Sequence, residues 1–291
     1  MTQRWRLDVA YDGTTFHGFA PQPGEALETV AGALQLALQR LCRLEGLPFL
    51  VCAGRTDTGV HALAQVIHVD LPEELPRSRK GEPFDELTML RGLNSKLPAA
   101  VTVTKVAQVD KSFDARRSAT ERRYRYLVDE GLAPDPLLRH LAWHVDGPLD
   151  LQVMESAAQL LVGSHDFRSF CKKVPGSSSQ EPIVRNVHFA HWSIEPREAA
   201  HPASARLLRF EIGANAFCHR MVRSLVGQLV AIGRHRCGAE ELTYLLAHPD
   251  RHRAADPAPG NGLCLIGVSY GPRAEETQTW GQLEDEGHLR A

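Results

Sequence analysis

The chain has 291 residues, 43% of them hydrophobic and 23% charged, which is enough apolar material for one large or two smaller folded units and excludes a disordered or fibrous chain. The 33 Lys and Arg against 35 Asp and Glu give a formal net charge of -2, which argues against coating nucleic acid through bulk charge and leaves room for a local basic patch. No apolar run approaches the roughly 18 to 20 residues of a membrane span, and residues 1–12 lack the apolar stretch of a signal peptide, so a cytoplasmic protein without a membrane partner is expected.

Residues 4–11 alternate Trp5, Leu7, Val9 and Tyr11 with Arg4, Arg6, Asp8 and Ala10, the period of a half-buried strand, which Asp12-Gly13 closes as a turn. Thr29 is placed to cap a helix reaching about residue 43, with Val30, Leu34, Leu38 and Leu41 at helical spacing. Short strands over 49–53 and 63–70 then flank the loop Gly54-Arg55-Thr56-Asp57-Thr58-Gly59, a hairpin with a long, glycine-bounded connection. A connection over 72–84, a helix over 85–96 and a strand over 101–109 complete a first half.

The second half opens with a strand over 122–129, in which Tyr124, Tyr126 and Val128 share one face and Arg123, Arg125 and Leu127 the other. A helix over 151–161 and strands over 186–194 and 205–212 follow. The helix over 219–234 carries the apolar stripe Val222, Leu225, Val226, Leu229 and Val230. A short helix over 239–248 precedes a last strand over 263–270. Each half reads strand, helix, strand, strand, helix, strand, the ferredoxin-like order. The expected fold is therefore α+β, with two ferredoxin-like halves, 1–110 and 111–272, whose antiparallel sheets flank a central basic cleft. An acidic tail at 273–291 reads as a mobile end.

Two segments stand out chemically. Arg116, Arg117, Arg122, Arg123 and Arg125 face only Glu121 within ten residues, and the interleaved Tyr124 and Tyr126 suit stacking on unpaired bases, so the stretch reads either as an RNA-holding patch or as an Arg-rich strand edge. His219, Arg220, Arg223 and Arg234 add charge at the ends of the long helix, where cations also serve the helix dipole. In the glycine-bounded loop, Asp57 has the neighbouring cation Arg55 to keep it ionised, and an ionised carboxylate serves as nucleophile or base. The alternative is a plain turn residue, with Gly59 supplying a positive φ. Walker, dinucleotide, nucleophile-elbow and H-E-x-x-H motifs are missing. Cys42, Cys52, Cys171, Cys218, Cys237 and Cys264 form no C-x-x-C pair, so reduced thiols and no metal site are expected.

The segments Tyr11-Asp12-Gly13-Thr14, Ala53-Gly54-Arg55-Thr56-Asp57-Thr58-Gly59-Val60-His61-Ala62, residues 113–126, Asn215-Ala216-Phe217 and Met221-Val222-Arg223 resemble the TruA family of tRNA pseudouridine synthases. The resemblance spans Tyr11 to Tyr270. It implies a cofactor-free isomerase, working as a homodimer, that turns uridine into pseudouridine in the anticodon stem-loop of tRNA. It implies Asp57 as the catalytic aspartate, Arg55 as the arginine that pairs with it and fills the space of a flipped base, Tyr124 as the residue packing on that base, and Leu265 as an apolar neighbour. Arg116, Arg117, Arg122, Arg123, Arg125, Arg220 and Arg223 are the expected RNA contacts. Two departures from the family pattern are Gly18-Phe19-Ala20-Pro21-Gln22-Pro23, which lacks a glutamine, and Phe113-Asp114-Ala115-Arg116-Arg117, which gains an acid and an arginine.

Overall fold

Alternation and capping build the elements where the sequence places them. In the computed structural model, which describes residues 1–20, 28–76, 84–172, 181–196 and 206–271, the first strand β1 is Thr2–Tyr11. Helix α1, Val30–Cys42, starts where the Thr29 hydroxyl accepts the Gly32 N–H. Strands β2, Leu50–Cys52, and β3, His61–Pro72, are the expected antiparallel pair, and Asp85 caps helix α2, Glu86–Asn94, ahead of β4, Val101–Val109. The second half brings β5, Ala119–Glu130, β6, Trp143–Val145, helix α3, Leu151–Gln159, and β7, Gly163–Asp166. A 3-10 turn at Arg168–Phe170 leads to β8, Val184–Glu195, and β9, Arg206–Ala214. Helices α4, Met221–Gly233, and α5, Ala239–Ala247, and strand β10, Leu263–Tyr270, complete the chain. The expected tail and most of the 72–84 connection lie outside the described residues.

The strands form one 10-stranded sheet in the order β4-β1-β3-β10-β5-β9-β8-β7, with β2 on β3 and β6 on β5. This corrects the expectation of two sheets facing one another across a cleft. The runs β4-β1-β3-β2 and β10-β5-β9-β8 each keep the split-βαβ order. They join because β10 runs parallel to the start of β3, through Cys264 opposite His61 and Leu265 opposite Ala62, so that neither edge is left bare at the join.

Where β3 and β10 diverge, Arg122 fills the gap. Its Nε and Nη2 donate to the Ala53 carbonyl at 3.2 and 2.9 Å, Nη1 to Ala119 and Asn215, both at 2.8 Å, and Nη2 also to Arg116 at 2.5 Å. All five guanidinium donors are thereby used, and burial lowers the pKa of the group. Arg122 is thus a structural tie with nothing left for a phosphate, which corrects its expected RNA contact.

The α-helices among the described residues all pack on one face of the sheet. Trp5, Leu7, Val9 and Tyr11 of β1 and Tyr124, Tyr126 and Val128 of β5 share a core with Leu34 and Leu38 of α1, Met89 of α2, Met154 of α3 and Leu225 of α4. In α4, 11 of the 13 residues are buried, so its apolar stripe is spent inside the chain and offers no surface to a second copy. The alternate strand residues face the other way and meet in ion pairs: Arg4 with Asp70, Arg6 with Asp8, Arg123 and His188 with Glu121, and Arg209 with Glu195 and Glu211. Two cysteines also depart from expectation. Cys171 and Cys218, 47 residues apart, are disulfide-bonded with their Cα atoms 5.7 Å apart, because the 3-10 turn packs against the start of α4, a proximity that cysteine spacing does not reveal.

Replacing Arg122 by Met should cost at least about 3 kcal/mol, since the buried Ala53 and Ala119 carbonyls and two part-buried ones lose their donor together. Urea unfolding monitored by circular dichroism measures it, and a loss below about 1 kcal/mol would show that water takes over the carbonyls.

Candidate active site

The loop between β2 and β3 is held from several sides. The Tyr11 hydroxyl lies 2.8 Å from Thr56 Oγ1, Gln65 Nε2 donates to the Gly54 carbonyl at 2.7 Å, and the Phe19 amide donates to the Thr56 carbonyl at 3.0 Å. His61 Nδ1 accepts the Gly13 amide at 3.1 Å, while its Nε2 lies 2.7 Å from the His140 carbonyl. A Cβ on Gly13 would sit 2.0 Å from the Val60 carbonyl oxygen, so only glycine lets the turn after β1 press onto the loop. Gly59 adopts φ +75°, the positive value expected of the turn. The turn reading and the chemical reading of this loop are therefore compatible.

Asp57, half-buried in that loop, is gripped from the far half of the chain. Arg223 Nη1 donates to Oδ2 at 2.9 Å, and its Nε donates to the Ala258 carbonyl at 2.7 Å. His219 Nε2 lies 3.1 Å from Oδ1. Both come from the start of α4, which Arg220 opens in the left-handed conformation at φ 66°. Arg55 instead projects from the loop exposed and makes no ion pair among the described residues. The expected Arg55–Asp57 pair is therefore replaced by Arg223–Asp57, because the fold delivers a cation 166 residues away to the carboxylate.

Tyr124 forms a wall of the site. Its ring meets Phe217 edge-on with centroids 5.1 Å apart, and its hydroxyl lies near Gly54. Burial raises the phenol's pKa far above its usual value, with the charges of Cys52 and Asp57 adding to the rise. Leu265 sits across from Tyr124 in the β10–β5 register and is fully buried.

The five-arginine stretch is not one patch. Arg116 and Arg117 are exposed on a turn in which Asp114 Oδ1 accepts both of their backbone amides at 2.8 Å, so the acid that departs from the family pattern shapes the turn. The Arg122 guanidinium bridges the Arg116 and Ala53 carbonyls and so sets this turn beside the start of the loop, where burial pushes the Cys52 thiol up to about 11. Arg123 is paired with Glu121 on the helix-free face. Arg125 on that same face lines a cavity of about 360 Å³ with Leu63, Leu127, Leu141 and Cys264. The strand alternation thus turns Arg123 and Arg125 away from Asp57. Arg220 remains exposed at the N-terminal end of α4.

Sequence reasoning missed the grip of Arg223 and His219 on Asp57. No local signal was available: Arg223 lies in the first turn of α4 and His219 ahead of the left-handed Arg220 that opens it, so helical spacing does not put the two on one face. A fixed carboxylate, an arginine to hold it, an aromatic wall and arginines at the rim suit chemistry on a flat ring attached to a polyanion. Among the described residues no group of three or more His, Cys, Asp and Glu is placed to hold a metal.

Comparison with known proteins narrows that class. A family model described as tRNA pseudouridine synthase matches residues 157–271. The chain is 39% identical over 275 residues to tRNA pseudouridine synthase A of Frankia casuarinae, covering 94% of this chain and 91% of that one. It is 40% identical over 268 residues to the protein of the same name from Cutibacterium acnes, covering 92% and 88%. The corresponding Chloroflexus aurantiacus protein is 38% identical over 271 residues, with 91% and 88% covered. The family model and these relatives thus define a pseudouridine synthase, an isomerase by class. The chain belongs to the tRNA pseudouridine synthase family.

Arg223→Gln removes a charge-assisted hydrogen bond from Asp57 and should slow single-turnover pseudouridine formation at saturating enzyme at least about tenfold. An unchanged rate would reduce the pair to scaffolding.

Proposed function

We propose that this chain converts uridine to pseudouridine in the anticodon stem-loop of tRNA, in the cytoplasm, and that Asp57 starts the reaction. The observation that carries the reading is the Asp57 carboxylate itself, which the largely covered Arg223 holds on one oxygen beside the wall of Tyr124, in a loop pinned on several sides.

The reaction is an isomerisation and needs no cofactor. The bond from C1′ of the ribose to N1 of uracil breaks, the base turns while held, C1′ bonds to C5, and the C5 hydrogen is lost while N1 gains one. Asp57 begins this by attacking the sugar or the base or by removing a ribose proton, and each route returns the free carboxylate at the end. The target base must leave its stack, at a cost of a few kcal/mol. Tyr124 offers the face on which the flipped base packs, Leu265 backs it, and Arg55, exposed beside the loop, fills the vacated space. Arg116, Arg117 and Arg220 line the basic side of the cleft to which both halves, 1–110 and 111–272, contribute, and they hold phosphates.

The acting form is a homodimer with one tRNA touching both subunits. With α4 spent inside the chain, the surface that supports a dimer is the helix-free face of the sheet, where Leu63 and Leu141 are exposed around the apolar cavity.

Asp57→Asn keeps the shape and the turn while deleting the charge. It should fold with near-parental thermal stability, bind tRNA at least as tightly, and form no pseudouridine in a single-turnover assay. Isomerisation near the parental rate would refute the role given to Asp57. Changing Arg116 and Arg117 together to Gln should flatten the slope of log affinity against log salt by up to about two, one for each released phosphate contact, as nitrocellulose filter binding would measure; an unaltered slope would place both arginines off the RNA.

A further inference from the structure

Most arginines on the strands are spent within the chain. Arg4, Arg6, Arg123, Arg206 and Arg209 each meet a carboxylate, and Arg122 gives all its donors to carbonyls. Arg125 on β5 and Arg185 on β8 are left. Among the described residues neither has an ion pair, and each has a buried Nε without a hydrogen-bond partner. Strand alternation separates the two, because Arg125 lies on the helix-free face whereas Arg185 shares a face with Val187, which is buried in the core under the helices.

Neighbouring hydrogen bonds fix where on that face Arg185 stands. The Asn186 amide donates to Asn215 Oδ1 at 3.0 Å, and the Asn215 amide donates to the Asn186 carbonyl at 3.1 Å, so the start of β8 is stitched to the residue just past the end of β9. Asn215 also gives its carbonyl to Arg122 and leads into Phe217, which meets the Tyr124 ring. Arg185 therefore stands at the active-site end of the sheet. In the register there, Val187 is opposite Ala214 and Ala214 opposite Arg122. The turn that bears Arg116 and Arg117 enters β5 at this same end, and β8 is two strands from β5, roughly 10 Å.

The side chain is divided between protein and solvent. Its Nε is withdrawn from water, while Nη1 donates at the surface to the Val184 carbonyl at 2.7 Å. Burial alone lowers the pKa of the group, whereas a nearby carboxylate would raise it. A partly desolvated cation without a counter-charge is costly in the free protein, and an anion that docks on its exposed tip offsets that cost. A guanidinium matches the oxygens of a phosphodiester. Covering the edge of the core needs only the apolar stem, so packing does not account for the charge.

We propose that Arg185 binds a backbone phosphate of the RNA substrate and extends the rim of Arg116 and Arg117 across β9 onto β8. The assignment rests on the reading of tRNA as the substrate.

The test uses the full-length protein and a tRNA transcript, with affinity measured by filter binding over a series of salt concentrations. Arg185→Gln should weaken binding about fivefold near 0.1 M salt and reduce the slope of log affinity against log salt by about one. Arg185→Lys, which keeps a charge, should restore the slope. Arg185→Met keeps the apolar stem, should match the glutamine variant, and takes over the test if that variant fails to fold. Affinity lost without a change of slope would assign the side chain to packing and overturn the proposal, as would parental binding in the uncharged variants or a lysine variant with the slope of glutamine. A parent protein that does not bind tRNA would overturn the functional reading and this assignment together, whereas with a binding parent the same failures count against Arg185 alone.

Discussion

The site depends on how two antiparallel arrays become one sheet across a contact only two residue pairs wide. So narrow a seam would be a weak point if backbone pairing alone held it. Arg122 reinforces it, because its five donors reach carbonyls at Ala53, Arg116, Ala119 and Asn215. Ala53 begins the loop that carries Asp57, and Asn215 begins the segment that delivers Phe217, His219 and Arg223. One buried guanidinium therefore fixes the two halves of the site relative to each other. Burying that cation costs solvation, which full hydrogen bonding offsets, and a lysine with three donors could not reproduce the arrangement.

Rigidity continues outward from the seam. The loop is pinned by Tyr11, Gln65, the Phe19 amide and His61, and the close fit of Gly13 against Val60 leaves it little room to move. Such a site is organised before substrate arrives, so little binding energy goes into reorganising the protein. The strongly raised pKa of the Tyr124 phenol keeps it neutral at physiological pH, which suits an aromatic face on which a neutral ring packs.

Much of this was legible from the chain alone. The alternation in β1 and β5, the cap Thr29, and the bounds of β4 and β10 follow from local pattern. Strands β6 and β7, of three and four residues, lack any alternation to read and exist only because the edges of β5 and β8 are there to pair with. The joining of two expected sheets into one is a long-range pairing with no local signature. Asp57 was visible through its motif, yet its partner Arg223 was not, since the contact spans most of the sequence. The arginines show a different failure. The alternation of Tyr124 and Tyr126 against Arg123 and Arg125 already sends the two sets to opposite faces, but counting charge over a stretch of ten residues pooled what the strand separates.

The ion pairs on the helix-free face bear on how a polyanion would approach. On that face Arg4, Arg6, Arg123 and Arg209 each sit against a carboxylate, so their fields largely cancel a short distance into solvent. Arg55, Arg116, Arg117 and Arg220, exposed beside the loop and at the start of α4, are not matched in this way by any ion pair among the described residues. The exposed Arg55, Arg116, Arg117 and Arg220 thus give a chain with a formal net charge of -2 a local positive surface beside Asp57, and a polyanion would be drawn to it through the placing of charge rather than its excess.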